Sequence, residues 1–135
     1  MKLNEIIPIQ KKFSDDNVIE YYFEKKHIAT YYLDTMDGPI FLRENREFIE
    51  SLSESDFEMK VLLEIAFAKF SPKKLKIEES GNPRRWRFFD ESNFYLGSYS
   101  ELLGEVYSAY LNQSIKTINI DEAIAFIAWG SRIEQ

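Results

Sequence analysis

The chain has 135 residues, 44% hydrophobic and 30% charged, with a formal net charge of −6. That balance, with only 5 Gly and 4 Pro, excludes a disordered, collagenous or low-complexity chain and fits a single globular domain over residues 1–135. The absence of cysteine and the single histidine exclude a disulfide framework, a thiol nucleophile and any metal site built on His or Cys.

The opening Met1-Lys2-Leu3-Asn4-Glu5 leads into no apolar run, and Lys11 and Lys12 interrupt early, so no signal peptide is expected. No stretch approaches the ~20 apolar residues of a membrane helix. The expectation is a cytoplasmic protein with no membrane contact.

Strands come first. Ile19, Tyr21 and Phe23 alternate with Glu20, Tyr22 and Glu24, and Ile28, Thr30 and Tyr32 alternate with Ala29, Tyr31 and Leu33. Such period-two patterns rich in tyrosine and β-branched residues predict half-buried strands. Lys25 and Lys26 would form the hairpin turn. A helix over residues 17–26 is the alternative, because Val18, Ile19, Tyr22 and Phe23 also share a helical face. Met36-Asp37-Gly38-Pro39 reads as a turn, and residues 40–42 as a short third strand.

Helices follow. Residues 44–52 read as a short helix with Phe48, Ile49 and Leu52 on one face. Ser55-Asp56-Phe57-Glu58 matches a capping box that opens a helix to about residue 70. Its wide apolar arc, with Phe57, Val61, Leu62, Ile65, Ala66 and Phe70, predicts the central buried helix. Residues 74–79 alternate with Leu75 and Ile77 inward. Gly81-Asn82-Pro83 turns the chain, residues 84–89 pair back with Trp86 and Phe88 on one face, and residues 94–96 read as one more strand. Ser98-Tyr99-Ser100-Glu101 reads as a second capping box, opening a helix that carries Leu102, Leu103, Val106, Tyr107, Tyr110 and Leu111 on one stripe. A short strand over residues 115–118 and a last helix follow, the helix capped by Asn119 and ended by Gly130 as its C′ residue. The class is α+β: an antiparallel sheet packed against a central buried helix, with further C-terminal helices.

Catalytic chemistry is hard to build from this chain. His27 sits beside a hairpin turn. The five glycines are scattered singly, so no loop cradles phosphates, and no serine lies in a nucleophile elbow. Asp34 with Asp37, and Asp15 with Asp16, read as solvated turn residues. A non-enzymatic protein without cofactor or metal is expected.

Charge is unevenly distributed. Residues 34–64 hold nine acids against three bases, a net −6; residues 69–87 are +5 and residues 88–135 are −5. On a helix over 44–52, Glu47, Glu50 and Glu54 would share the face opposite Phe48, Ile49 and Leu52. Solvation and favourable contact with a helix N-terminus are a sufficient structural account of such acids. The functional reading is a surface that steers and docks a basic protein, made of Asp34, Asp37, Glu44, Glu47, Glu50, Glu54, Asp56 and Glu58. Tyr31, Tyr32 and Tyr95 are candidate exposed anchors. Glu101, Glu105, Asp121 and Glu122, with Tyr99 beside them, form the competing site. Arg84-Arg85-Trp86-Arg87-Phe88-Phe89 pairs cations with rings, but strand alternation separates Trp86 and Phe88 from Arg85 and Arg87. With a pI near 4.9 this argues against nucleic acid as the partner.

Small size, acidic pI, no cysteine, abundant aromatics, α+β order and no catalytic constellation together resemble the bacterial immunity proteins. These are cytosolic inhibitors encoded beside polymorphic or contact-dependent growth-inhibition toxins. The resemblance implies an antitoxin-like protein, without cofactor, that neutralises a cognate toxin domain, in many cases a nuclease, through an acidic surface. A phage-encoded nuclease inhibitor shares the profile. A nucleic-acid-binding or regulatory adaptor is the other reading.

Overall fold

In a computed structural model the described residues are 2–42, 46–69, 74–117 and 119–131. The elements run α1 (Leu3–Ile6), β1 (Ile9–Asp15), β2 (Val18–Phe23), β3 (Lys26–Tyr32), β4 (Gly38–Ile40), β5 (Glu47–Ile49), α2 (Glu54–Lys69), β6 (Lys76–Ser80), β7 (Arg85–Phe89), β8 (Tyr95–Ser100), β9 (Glu105–Ser108), β10 (Gln113–Lys116) and α3 (Ile120–Ser131). The class is α+β. The chain divides into two compact units, Ile6–Ala68 in one and Met1–Glu5 with Lys69–Gln135 in the other. Each holds a five-stranded antiparallel meander in chain order, and each meander is followed by a helix.

In the first unit, β2 is a strand and not the alternative helix. Ile19, Tyr21 and Phe23 face the core, as the alternation predicts. The hairpin turn falls on Glu24 and Lys25, both with positive φ (52° and 67°), so Lys26 already belongs to β3. Two positive-φ residues match the twist of a two-residue hairpin. On β3 a bulge sets which side chains face inward beyond the turn. Tyr22 pairs with His27 but Tyr21 pairs with Ala29, so Ile28 is an inserted bulge residue. One extra residue shifts the alternation by one, and Ile28 through Tyr31 are all buried. Ala29 and Tyr31 are therefore buried opposite Tyr21 and Ile19, and Tyr32 turns outward. β4 begins at Gly38, two residues before the expected third strand. A Cβ at Gly38 would lie 1.8 Å from the Thr30 carbonyl oxygen, so only glycine permits this close pass against β3.

The helix expected over residues 44–52 is not formed. Glu47–Ile49 is strand β5, paired antiparallel with β4 through Gly38 with Ile49, Pro39 with Phe48 and Ile40 with Glu47. Ser51, at φ 57°, then breaks any regular continuation. The cap of α2 lies two residues before the expected one. The Asp56 amide donates to Ser53 Oγ (3.3 Å) and the Phe57 amide to the Ser53 carbonyl (2.9 Å). Helix α2 is buried along Phe57, Val61, Leu62, Ile65 and Ala66, and its Phe57 ring lies 5.8 Å from Tyr21 and 4.9 Å from Tyr31. Phe70, at the expected end of this helix, lies outside the described residues.

In the second unit, β6 is an edge strand exposed along its whole length, so Ile77 is not inward but 43% exposed. β7 behaves as its alternation predicts: Trp86 and Phe88 are buried, Arg85 and Arg87 exposed. The helix expected after Ser98 is not formed. β8 continues to Ser100, and β9 and β10 follow through two short loops. The loops explain the helix-like pattern. Ser100 Oγ accepts from the Leu103 amide (3.2 Å) and Ser108 Oγ from the Leu111 amide (3.1 Å), so each serine caps one helical turn. Gly104 (φ 60°) and Asn112 (φ 51°) end those turns at once in the left-handed conformation. Helix α3 is capped where expected, with the Glu122 amide donating to Asn119 Oδ1 (3.0 Å). Gly130 is not its C′ residue but lies inside the helix, where a Cβ would come within 3.0 Å of Leu111 Cδ1 and at 3.0 Å from Ser108 Oγ.

Candidate acidic interface

Strand pairing, and not a shared helical face, gathers the acidic residues of the first unit. Gly38 pairs with Ile49 as the last pair of the β4–β5 ladder, so Asp37 and Glu50 each lie one residue beyond its end. The Leu52 amide donates to the Met36 carbonyl (3.0 Å), which carries the contact on to the turn holding Asp34. The Tyr31 hydroxyl donates to the Leu52 carbonyl (2.5 Å), holding the start of α2 against β3. Glu54 and Asp56 occupy the first turn of that helix, where the exposed amides favour negative charge.

The phenols beneath this rim register its field. Burial first, then the charges of Glu54 and Asp37, push the Tyr31 phenol above its ordinary range. Burial, then Glu58 and Glu54, push the Tyr21 phenol up further. A phenolate there would lack solvent and face carboxylates. Tyr31 is thus not a surface anchor: it is 1% exposed, whereas Tyr32 and Tyr95 are exposed as expected.

The eight expected site residues separate into groups. Asp34, Glu50 and Asp56 are exposed, Asp37 and Glu54 half-buried. These five carboxylates make no ion pair with any cation among the described residues. Among the described residues the Asp37 carboxylate accepts only the Thr35 hydroxyl (2.6 Å). Glu58 is neutralised by Lys11 of β1 (2.7 Å). Those two residues line a depression of about 430 Å³ with Ser53, Glu54 and Ser55. Glu47 stands at the far end of β5 opposite Ile40, about 10 Å along an extended chain from Glu50, so the two do not act as neighbours. Glu44 lies outside the described residues. Lys11 was not a candidate from sequence, since nothing local links β1 to α2.

The competing acids are largely engaged. Glu101, itself exposed, pairs with Arg84 (3.0 Å), Glu105 pairs with Lys116 (2.8 Å), and Glu122 is buried, which leaves Asp121 exposed without an ion pair among the described residues. Among the described residues no group of three or more His, Asp or Glu could hold a metal ion, and no helix is long and apolar enough to cross a membrane. The chain matches no protein-family model, no curated protein and no solved structure.

Proposed function

We propose that this chain is a stoichiometric inhibitor of the immunity type, acting in the cytoplasm to bind and neutralise a basic toxin domain, with a nuclease as the best-fitting class. The supporting observation is the rim of Asp34, Asp37, Glu50, Glu54 and Asp56, five carboxylates on adjoining elements without an ion pair among the described residues. Holding like charges together disfavours the folded state, and a basic partner would relieve that cost. A nuclease cleft attracts phosphate and is therefore basic, so carboxylates presented on a folded surface can stand in for the substrate's charge. Steering of this kind raises association rates about tenfold to a thousandfold at low salt.

The test is co-expression with the product of the gene immediately upstream, followed by co-purification and a growth assay. A stable complex and rescue of growth are expected. A toxic neighbour that neither binds the chain nor is neutralised by it contradicts the reading.

A further inference from the structure

The face of the second sheet turned away from α3 carries exposed cations and aromatic rings together. Residue pairing settles which side chains share it. Arg87 stands opposite Ser98, and Ser98 opposite Tyr107; Arg85 stands opposite Ser100. Past the bulge after Phe88, Phe89 stands opposite Lys76 on one side and Tyr95 on the other. The alternating residues Trp86, Phe88 and Tyr99 are buried on the α3 side, where a Cβ on Gly97 would meet Ile127 Cδ1 at 2.5 Å. The separation of rings from cations expected for β7 therefore holds for Trp86 and Phe88 only. Phe89 and Tyr95, with ring centroids 6.0 Å apart, and Tyr107 restore aromatic surface to the cationic side.

Two features distinguish this face from an ordinary solvated one. Arg85 and Arg87 make no ion pair among the described residues, while Arg84 beside them is engaged by Glu79 and Glu101. Tyr95 is 45% exposed and the adjoining Phe94 70% exposed, so flat apolar area lies open next to free guanidinium groups. Of the nearby carboxylates, Glu78 stands opposite Arg87, and Asp90 Oδ1 already accepts the Ser92 and Phe94 amides (2.8 and 3.0 Å). The acid excess of the chain resides in residues 34–64, in the other unit, whereas residues 69–135 balance to zero.

We propose that this face binds single-stranded nucleic acid, with Arg85 and Arg87 contacting backbone phosphates and Tyr95 and Phe89 stacking on bases. Phosphate contact supplies the salt-dependent attraction. Stacking requires unpaired bases with open faces, which single strands offer and duplexes do not. The shared chemistry is that of RNA and DNA alike, so both belong in the test.

Fluorescence anisotropy with labelled uridine and thymidine dodecamers, and with a duplex of the same length, reads this out on the full chain. Binding to at least one single strand at about 50 mM salt is expected, falling steeply by about 200 mM. Arg85→Ala/Arg87→Ala should weaken it about tenfold or more. Tyr95→Leu, which keeps apolar area but loses the ring, should weaken it at least severalfold. Glu50→Lys should not weaken it. No binding at low salt, binding insensitive to both variants, or equal affinity for the duplex overturns the proposal. So does sedimentation showing that Arg85 and Arg87 instead hold two copies of the chain together.

Discussion

Tyr21 buries a hydroxyl that has no hydrogen-bond partner among the described residues, beneath a rim of carboxylates. An unfolded chain releases phenolic protons near pH 10, whereas Tyr21 in the folded unit keeps its proton to higher pH. Below pH 10 both states are protonated and the group adds no pH dependence. Above it the folded state holds more protons than the unfolded one, so stability falls as pH rises, by at most about 1.4 kcal/mol per unit for each phenol so held. Urea melts from about pH 9 to about pH 11 should therefore lose more stability in wild type than in Tyr21→Phe; equal losses would show that this phenol ionises freely. At neutral pH the same variant should be neutral or slightly stabilising, since it removes a buried polar atom without orphaning a partner. Gly97 tests packing at the same scale. A Cβ there would lie 2.0 Å from the Tyr107 carbonyl oxygen, a backbone atom that cannot swing aside. Gly97→Ala should cost about 2 kcal/mol or more in a thermal or urea melt, and a cost under about 0.5 kcal/mol would contradict the close β8–β9 approach.

Two serines compete for the start of α2, and geometry decides between them. Ser53 Oγ receives the Asp56 amide and its carbonyl receives that of Phe57, so Ser53→Ala should cost about 1 kcal/mol. Ser55→Ala lies inside the first turn and should be near neutral; the reverse order in paired urea melts would restore the capping box read from sequence. Once the helix is entered, Phe57 anchors it to Tyr21 and Tyr31, and Phe57→Ala should cost about 3–5 kcal/mol. Elements with one buried face and an uninterrupted period were legible in the sequence: β2, β7, the body of α2 and the Asn119 cap. β1 was not, because an edge strand buries little; Phe13 is 63% exposed there and no alternation survives. Which β3 side chains face inward was not legible from alternation, because the Ile28 bulge shifts the period by one. The stretch from Ser98 to Leu111 misled because helix caps and strand loops use the same serine-to-amide bond, and only the left-handed Gly104 and Asn112 end the turn. The acidic surface was legible as composition but not as geometry: Glu47, Glu50 and Glu54 align only on a helix the chain does not form, whereas β4–β5 pairing brings Asp37 and Glu50 to the same end of the ladder.

Across the whole chain the charge divides by unit, with the acid excess at residues 34–64 and the basic segment at residues 69–87. Exposed charges act over about 10 Å at 0.1 M salt, so a rim of free carboxylates attracts a basic partner at low ionic strength and less at high. The association rate with a basic toxin domain should therefore fall steeply between low and high salt in stopped-flow mixing, and a flat dependence would remove steering from the mechanism. Where a basic toxin domain would dock is the central question of the proposed function. Asp34 and Glu50 are exposed and lie outside the first helical turn, so reversing both to Lys should change stability by only about 0.5 kcal/mol each. Glu101 and Glu105 already hold Arg84 and Lys116 and have less charge to offer. The direct measurement is calorimetric titration of the partner with two variants, Asp34→Lys/Glu50→Lys and Glu101→Lys/Glu105→Lys. The expected result is a loss of affinity of about a hundredfold or more, some 3 kcal/mol, for the first pair and little change for the second. Loss confined to the second pair would contradict the account.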